Sequence, residues 1–290
     1  MKRIAIIADI HANLPALEAV IADLQPLNPD EILVAGDLVG RGPQGTAVVR
    51  RIASQRWRSV RGNHEDYLLS FVRGDIPDAW RHAEEWAASR WMADELDEES
   101  VRFIDALPFS IQSSIDPDIE VFHGSPNSHS EGIGGWTPED RLETFLEAID
   151  GTVLVCAHTH RPLCYRSEAG LIVNAGSVGL PFNGDPRAQY VMLHGQPGQW
   201  EVEFRQVDYD RQALLAHYNS SGFLTKGAIT AELLRREVEA ARPFLVPFLN
   251  WAEISHCDPT TANLEAFLSV YDPHQSMAEF FASLRGGSSK

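Results

Sequence analysis

Cysteine is scarce in this chain. Cys156, Cys164 and Cys257 are the only three in 290 residues, and they form no CxxC pair. That excludes a disulfide framework and points to a reducing compartment, the cytoplasm. Basic residues are also few, 24 Lys and Arg against 41 Asp and Glu, for a formal net charge of −17. This balance argues against a protein held on nucleic acid by counterion release. Small charged substrates remain compatible with it, provided the site supplies its own positive charge. Long apolar runs are missing too. No stretch approaches the roughly 18 residues needed to cross a bilayer, and the run behind Met1-Lys2-Arg3 breaks at Asp9, too early for a signal-peptide core. The expectation is a soluble protein with no membrane partner. Internal repeats and long low-complexity segments are absent as well.

What is present is a series of short apolar runs, each ending in polar residues. Residues 4–8 are a continuous, largely β-branched run suited to a strand buried on both faces. Asp9 and His11 follow its C-terminal end, where ligands gather in open α/β sheets. An Asp-x-His pair on extended backbone points both side chains one way. Taken alone, the pair reads as helix capping before it reads as a metal grip, because Asn13-Leu14-Pro15 looks like a cap and a helix start. A helical stripe over 14–24 is expected to end at Pro26 and Pro29. A second strand, 31–35, stops at Gly36-Asp37, and the glycine-rich turn after it presents Arg41. A helix over 46–54 and a third strand over 57–60 lead to Arg61-Gly62-Asn63-His64-Glu65. Three β-turn-α units thus place polar clusters at one edge, and the right-handed crossover rule stacks them side by side.

Residues 66–106 read as helical, with Trp80, Trp86 and Trp91 assigned to packing. Strands are expected at 109–115 and 119–122, joined by an Asp116-Pro117-Asp118 turn, the second ending at His123. A helix over 138–149 opens with Thr137 and Asp140 in a capping-box pattern. Another buried run, 153–156, delivers His158 and His160, one residue apart and expected to face the same way. Strands at 163–166, 171–174, 189–193 and 201–206 suggest a mostly antiparallel or mixed sheet. Beyond Asp208 helices are expected at 211–218, 230–241, 261–270 and 276–284, with Pro243 and Pro247 as breaks. Gly286-Gly287-Ser288-Ser289-Lys290 reads as a frayed tail.

Collected from the strand ends, Asp9, His11, Asp37, Asn63, His64, His123, His158 and His160 offer carboxylate, imidazole and amide oxygen, the mixed ligands that suit Zn²⁺, Mn²⁺ or Fe ions. They exceed what one tetrahedral ion needs, so two ions are the better count. A two-metal site serves in-line displacement at phosphorus.

The order Asp9-x-His11, Gly36-Asp37, Gly62-Asn63-His64-Glu65, His123, His158-x-His160 resembles the calcineurin-like metallophosphoesterase family. The likeness covers residues 1–206, and the segments 8–17 and 174–184 are most similar to its small bacterial, phosphodiesterase-like branch. It implies an α/β (α+β) fold of two mixed sheets packed as a sandwich with helices outside, residues 1–206 forming the catalytic domain. A helical C-terminal extension, 207–290, would pack on or cap this core. It also implies that Asp9, His11 and His160 hold one ion, that Asn63, His123 and His158 hold the other, and that Asp37 bridges them with a hydroxide as nucleophile. His64 is then free to serve as general acid or electrostatic stabiliser, and Asn63 can offer its amide N–H to a phosphoryl oxygen.

Arg41 is a candidate phosphate clamp, its alternative being a surface salt bridge. Glu65 either orients a neighbour or starts a helix. Two departures stand out. Gly40 occupies the position where the related protein Ser/Thr phosphatase motif has an acid, which argues against protein phosphatase activity, and Ala157 stands where the family usually has glycine. The expected function is hydrolysis of small phosphate esters (monoester, diester or nucleotide) with two transition-metal ions, Mn²⁺ favoured over Fe or Zn. A nuclease and a non-catalytic scaffold of the same fold are the alternatives, and a homo-oligomer is left open. The scaffold reading would be expected to lose ligands or His64, and every position is filled.

Overall fold

A computed structural model describes residues 1–286. Its organisation follows from a strand with two apolar faces. In β1 (Lys2–Ile7), Ala5 and Ile7 join a core shared with helices, while Ile4 and Ile6 join the core between two sheets. Such a strand cannot lie at a surface. It sits mid-sheet, parallel to β2 (Glu31–Val34), which is parallel to β3 (Arg58–Ser59), with strands from 188–207 on its other side.

The second sheet runs β4-β5-β6-β8-β7. Its central strands β5 (Ile119–Phe122), β6 (Val153–Cys156) and β8 (Leu171–Asn174) are parallel, and β4 (Ser110–Gln112) and β7 (Leu163–Arg166) are antiparallel edges. The hairpin β9 (Ala188–Gln196) and β10 (Gln199–Val207) crosses back to the first sheet, where β9 pairs antiparallel with β1. Both sheets are therefore mixed, and residues 189–206 do not extend the second sheet as their position in the chain suggests.

Helices flank the sandwich. α1 (Leu14–Leu27) is capped by Asn13, whose Oδ1 accepts from Ala16 N at 3.1 Å. Pro26 does not end it, although its missing N–H leaves the carbonyl of Ala22 without its helical partner. The end comes at Asn28, which turns left-handed. α2 (Gly45–Gln55) and α3 (Asn63–Arg73) follow. The helical region beyond is broken, Gly74 closing α3 at φ 73° before α4 (Ala87–Glu95) and α5 (Glu98–Asp105). Trp80 and Trp86 stack at 3.8 Å and Trp91 packs against Phe223, so all three are packing residues. α6 (Glu139–Glu147) starts after Pro138, and the expected Thr137 capping box does not form, because Thr137 Oγ1 accepts from Gly134 N instead.

After β10 the chain is helical: α7 (Arg211–Ser220), α8 (Phe223–Ala240), α9 (Leu245–Ile254), α10 (Leu264–Leu268) and α11 (Met277–Gly286). α9 corrects the reading of Pro247 as a breaker, since the residue falls in its first turn, where no intrahelical N–H is required. Gly286 ends the last helix, and the rest of the expected tail lies outside the described residues. Among the described residues, no helix is long and apolar enough to cross a membrane.

Candidate metal centre

The strands stop short of the ligands. β1 ends at Ile7, and Asp9 and His11 adopt left-handed backbone, φ 50° and 49°. Asp37, His158 and His160 do the same at 52°, 64° and 57°. For residues other than glycine this costs about 1–3 kcal/mol apiece and persists only where the surroundings enforce it. Here the strand ends are laced together: Asp9 N donates to Gly36 O at 3.1 Å, His11 N to Asp37 O at 3.0 Å, and Gly179 N to Asp9 O at 2.9 Å. Strand alternation therefore is not what aims these side chains. The two histidines after β6 do not face the same way.

His160 turns to Asp9 and His11. Its Nε2 lies 3.0 Å from His11 Nε2 and 3.6 Å from Asp9 Oδ1. The Nδ1 of His160 faces the carbonyl of Leu180 at 2.5 Å and that of His11 faces Val39 O at 3.3 Å. A carbonyl only accepts, so each Nδ1 carries the proton and each Nε2 presents a lone pair. Burial holds both imidazoles well below the ordinary histidine range, hence neutral. Two lone pairs facing at 3.0 Å, beside a buried Asp9 Oδ1 with no hydrogen-bond partner, are the donor set a cation requires.

His158 turns the other way. Its Nδ1 lies 2.8 Å from Asn63 Oδ1, which is also 3.0 Å from His123 Nε2. Asp37 stands between the groups, its Oδ2 3.6 Å from His11 Nε2 and 3.3 Å from His123 Nε2. Burial alone would depress His123, yet the Asp37 carboxylate outweighs it and lifts the imidazole to about 10. Burial alone would raise Asp37, and His123 and His64 instead hold it well below the ordinary carboxylate range. A proton on His123 thus supplies positive charge where a metal ion would bring it. Asp9, by contrast, is pushed well up by burial, with Asp37 adding to the effect. Asp9, His11 and His160 form one group able to hold a metal, and Asp9, Asp37 and His123 another.

His64 donates its backbone N–H to Asp37 Oδ1 at 2.9 Å, and a ring nitrogen also falls within ligand range of His11 and Asp37. Its Nε2 accepts from Arg41 Nε at 3.1 Å. Burial depresses His64 to about 3 despite Asp37, so it is neutral. A Cβ on Gly40 would come within 2.5 Å of His64 Nδ1, and φ there is 78°, so glycine at 40 is tied to where His64 sits. The Ala157 methyl packs in the core between the sheets.

Arg41 is not in a surface salt bridge. Its Nη1 donates at 3.1 Å to Glu237 Oε2, on α8 and fully buried. Glu237 Oε1 accepts from Phe244 N and Leu245 N at 2.8 and 2.9 Å, while Tyr218 Oη donates to Arg41 O. The C-terminal helices thus hold the loop that carries Arg41. Glu65 both starts α3 and orients a neighbour: its oxygens accept from the backbone N–H groups of Asp37, Leu38, Val39 and Gly62 at 2.6–3.2 Å. Beyond the centre Phe182 stacks on His160 at 4.5 Å. Glu237 and Tyr218 escaped the sequence reading, since neither helical pattern nor spacing marks them.

A family model for calcineurin-like phosphoesterases matches residues 2–162. The chain belongs to the calcineurin-like phosphoesterase family. Among its relatives is an uncharacterized protein of Methanocaldococcus jannaschii, 28% identical over 222 residues, or 71% of this chain and 88% of that one. A metallophosphoesterase from Sphaerobacter thermophilus, 30% identical, superimposes with a TM-score of 0.67 over 82% of this chain and 99% of its own. A more local match, 35% over 72 residues, is to the symmetrical bis(5′-nucleosyl)-tetraphosphatase of Psychromonas ingrahamii, covering 24% of this chain and 26% of that protein. Calcineurin-like phosphoesterases as a family use divalent metals, and the donor groups described above fit that requirement.

Proposed function

We propose that the protein is a dinuclear, metal-dependent phosphohydrolase of small phosphate esters, working in the cytoplasm. The observation that carries this reading is the pair of half-shells, Asp9, His11 and His160 on one side and Asn63, His123 and His158 on the other, with Asp37 between them. Two ions held there, Mn²⁺ being favoured, would acidify water as the nucleophile and offset phosphoryl charge. The residues do the rest. Asn63 Nδ2 and the Arg41 guanidinium donate to phosphoryl oxygens. Once Arg41 turns to the phosphoryl oxygens, His64 Nε2 is released from its hydrogen bond to Arg41 Nε, and the negative charge of the phosphoryl group counters the burial that keeps the ring neutral, so that Nε2 takes a proton from solvent water and gives it to the leaving oxygen. Asp37 fixes the His64 backbone and so the position of that ring.

The substrate is a small monoester, diester or nucleotide, with nucleic acid disfavoured by the net charge of −17. The local likeness to a bis(5′-nucleosyl)-tetraphosphatase supports a nucleotide. Residues 1–206 are proposed as the catalytic domain, with 207–290 an extension that reaches it through Glu237. The test is hydrolysis of chromogenic phosphate mono- and diesters by Mn²⁺-loaded protein. Turnover that chelation removes is expected, whereas an inactive protein with two bound ions would support the scaffold reading.

A further inference from the structure

On the outer side of Phe182 lies a cleft of about 720 Å³, lined by Arg161, Phe182, Asn183, Gln206 and Arg242 and unused by the hydrolysis described above. Phe182 is the wall it shares with the metal centre. The ring stacks on His160 at 4.5 Å, and the Arg41 guanidinium carbon is 5.9 Å from its centroid. Arg161 directly follows His160, and its Nε donates to Phe182 O at 3.2 Å. That is its one hydrogen bond from the guanidinium among the described residues.

Arg242 is stranger. Among the described residues its side chain makes no hydrogen bond and has no carboxylate within 4.0 Å, and its Nε is buried without a partner. The guanidinium lies against Gly184, where a Cβ would come within 2.4 Å of Nη2, so the space it occupies is kept clear by glycine. An unpartnered, part-buried guanidinium beside a second arginine is unfavourable unless something anionic satisfies it. Asp185, directly after Gly184, pairs with Arg187 and not with Arg242. Guanidinium forks match phosphate oxygens in pairs, and an apolar wall excludes water from them.

We propose that Arg161 and Arg242 form a subsite for a second phosphate group of the substrate, one aromatic ring removed from the phosphorus under attack. The enzyme then takes substrates with at least two phosphates in a chain. This deepens, and rests on, the phosphohydrolase reading.

The test begins with binding of inorganic tripolyphosphate and of inorganic phosphate to metal-free protein by calorimetry, where turnover plays no part. Wild type should bind tripolyphosphate at least about tenfold more tightly, and R242Q should lose about tenfold on tripolyphosphate, with R242K regaining part. Unchanged tripolyphosphate binding in R242Q overturns the proposal. Equal binding of phosphate and tripolyphosphate, both lost in R242Q, overturns it too, leaving a site for a free anion. With Mn²⁺ present, R242Q should lower kcat/KM for tripolyphosphate relative to p-nitrophenyl phosphate about tenfold, and an equal loss on both contradicts the distal placement. Absence of any turnover with the binding difference intact counts against the hydrolase reading alone.

Discussion

Asp37 divides its oxygens between two tasks: Oδ1 holds the His64 backbone and Oδ2 faces His11 and His123. Asp37→Ala should therefore abolish turnover and lower metal content together, read by ester hydrolysis and elemental analysis. His64→Ala should behave differently, keeping its metals while turnover falls about 10²–10⁴-fold. Metal loss in that variant would make His64 a ligand, a role its position near His11 and Asp37 permits. Glu65 is the third case. Replacing it by Gln turns an acceptor of four backbone N–H bonds into one with half its acceptor oxygens. An expected loss of about 1–3 kcal/mol follows, measurable by urea denaturation, with metal affinity falling about 10–100-fold. The cluster of candidate ligands was legible in the sequence because Asp, Asn and His sat at the ends of apolar runs. Strand alternation does not aim them, because the left-handed backbone at Asp9, His11, Asp37, His158 and His160 cannot be read from residue types that are not glycine.

At the scale of elements, the parallel strands were legible as short apolar runs and their ends as the site. Helix boundaries were less so. Pro247 falls in the first turn of α9, where an N–H has no intrahelical partner, whereas Pro26 lies in the last turn of α1 and loses one bond there without ending the helix before Asn28. The tie between α8 and the loop after β2 left no trace in the sequence, since Glu237 lies in a run of charged residues that reads as a solvated helix face. It is instead fully buried, and burial raises its pKa against the pull of Arg41. Breaking one partner of a buried pair is strongly destabilising. Glu237→Gln, which keeps the shape and removes the charge, should cost about 3 kcal/mol in thermal or urea unfolding. The same change frees Arg41 to shift, so kcat should fall while metal content stays at the wild-type level. An unaffected kcat would separate the C-terminal helices from the chemistry.

Across the whole molecule, the two sheets converge their strand ends on one centre, and the C-terminal helices close over its Arg41 side. Where the last hairpin would pair could not be seen from local pattern, because β9 and β10 cross to the first sheet through long-range contacts alone. The candidate ligands follow the ends of β1, β2, β5 and β6 and lie in α3, so they meet only in the folded chain. Free metal at 100 times its Kd should then add about 2.7 kcal/mol to stability, and chelation should lower Tm. The most direct measurement of the central claim is hydrolysis of a chromogenic phosphate ester as metal-free protein is titrated with Mn²⁺, with bound metal counted at each step. Activity rising to a plateau at two ions per chain is the predicted result. A plateau at one ion, or no activity with two bound, would contradict a dinuclear phosphohydrolase.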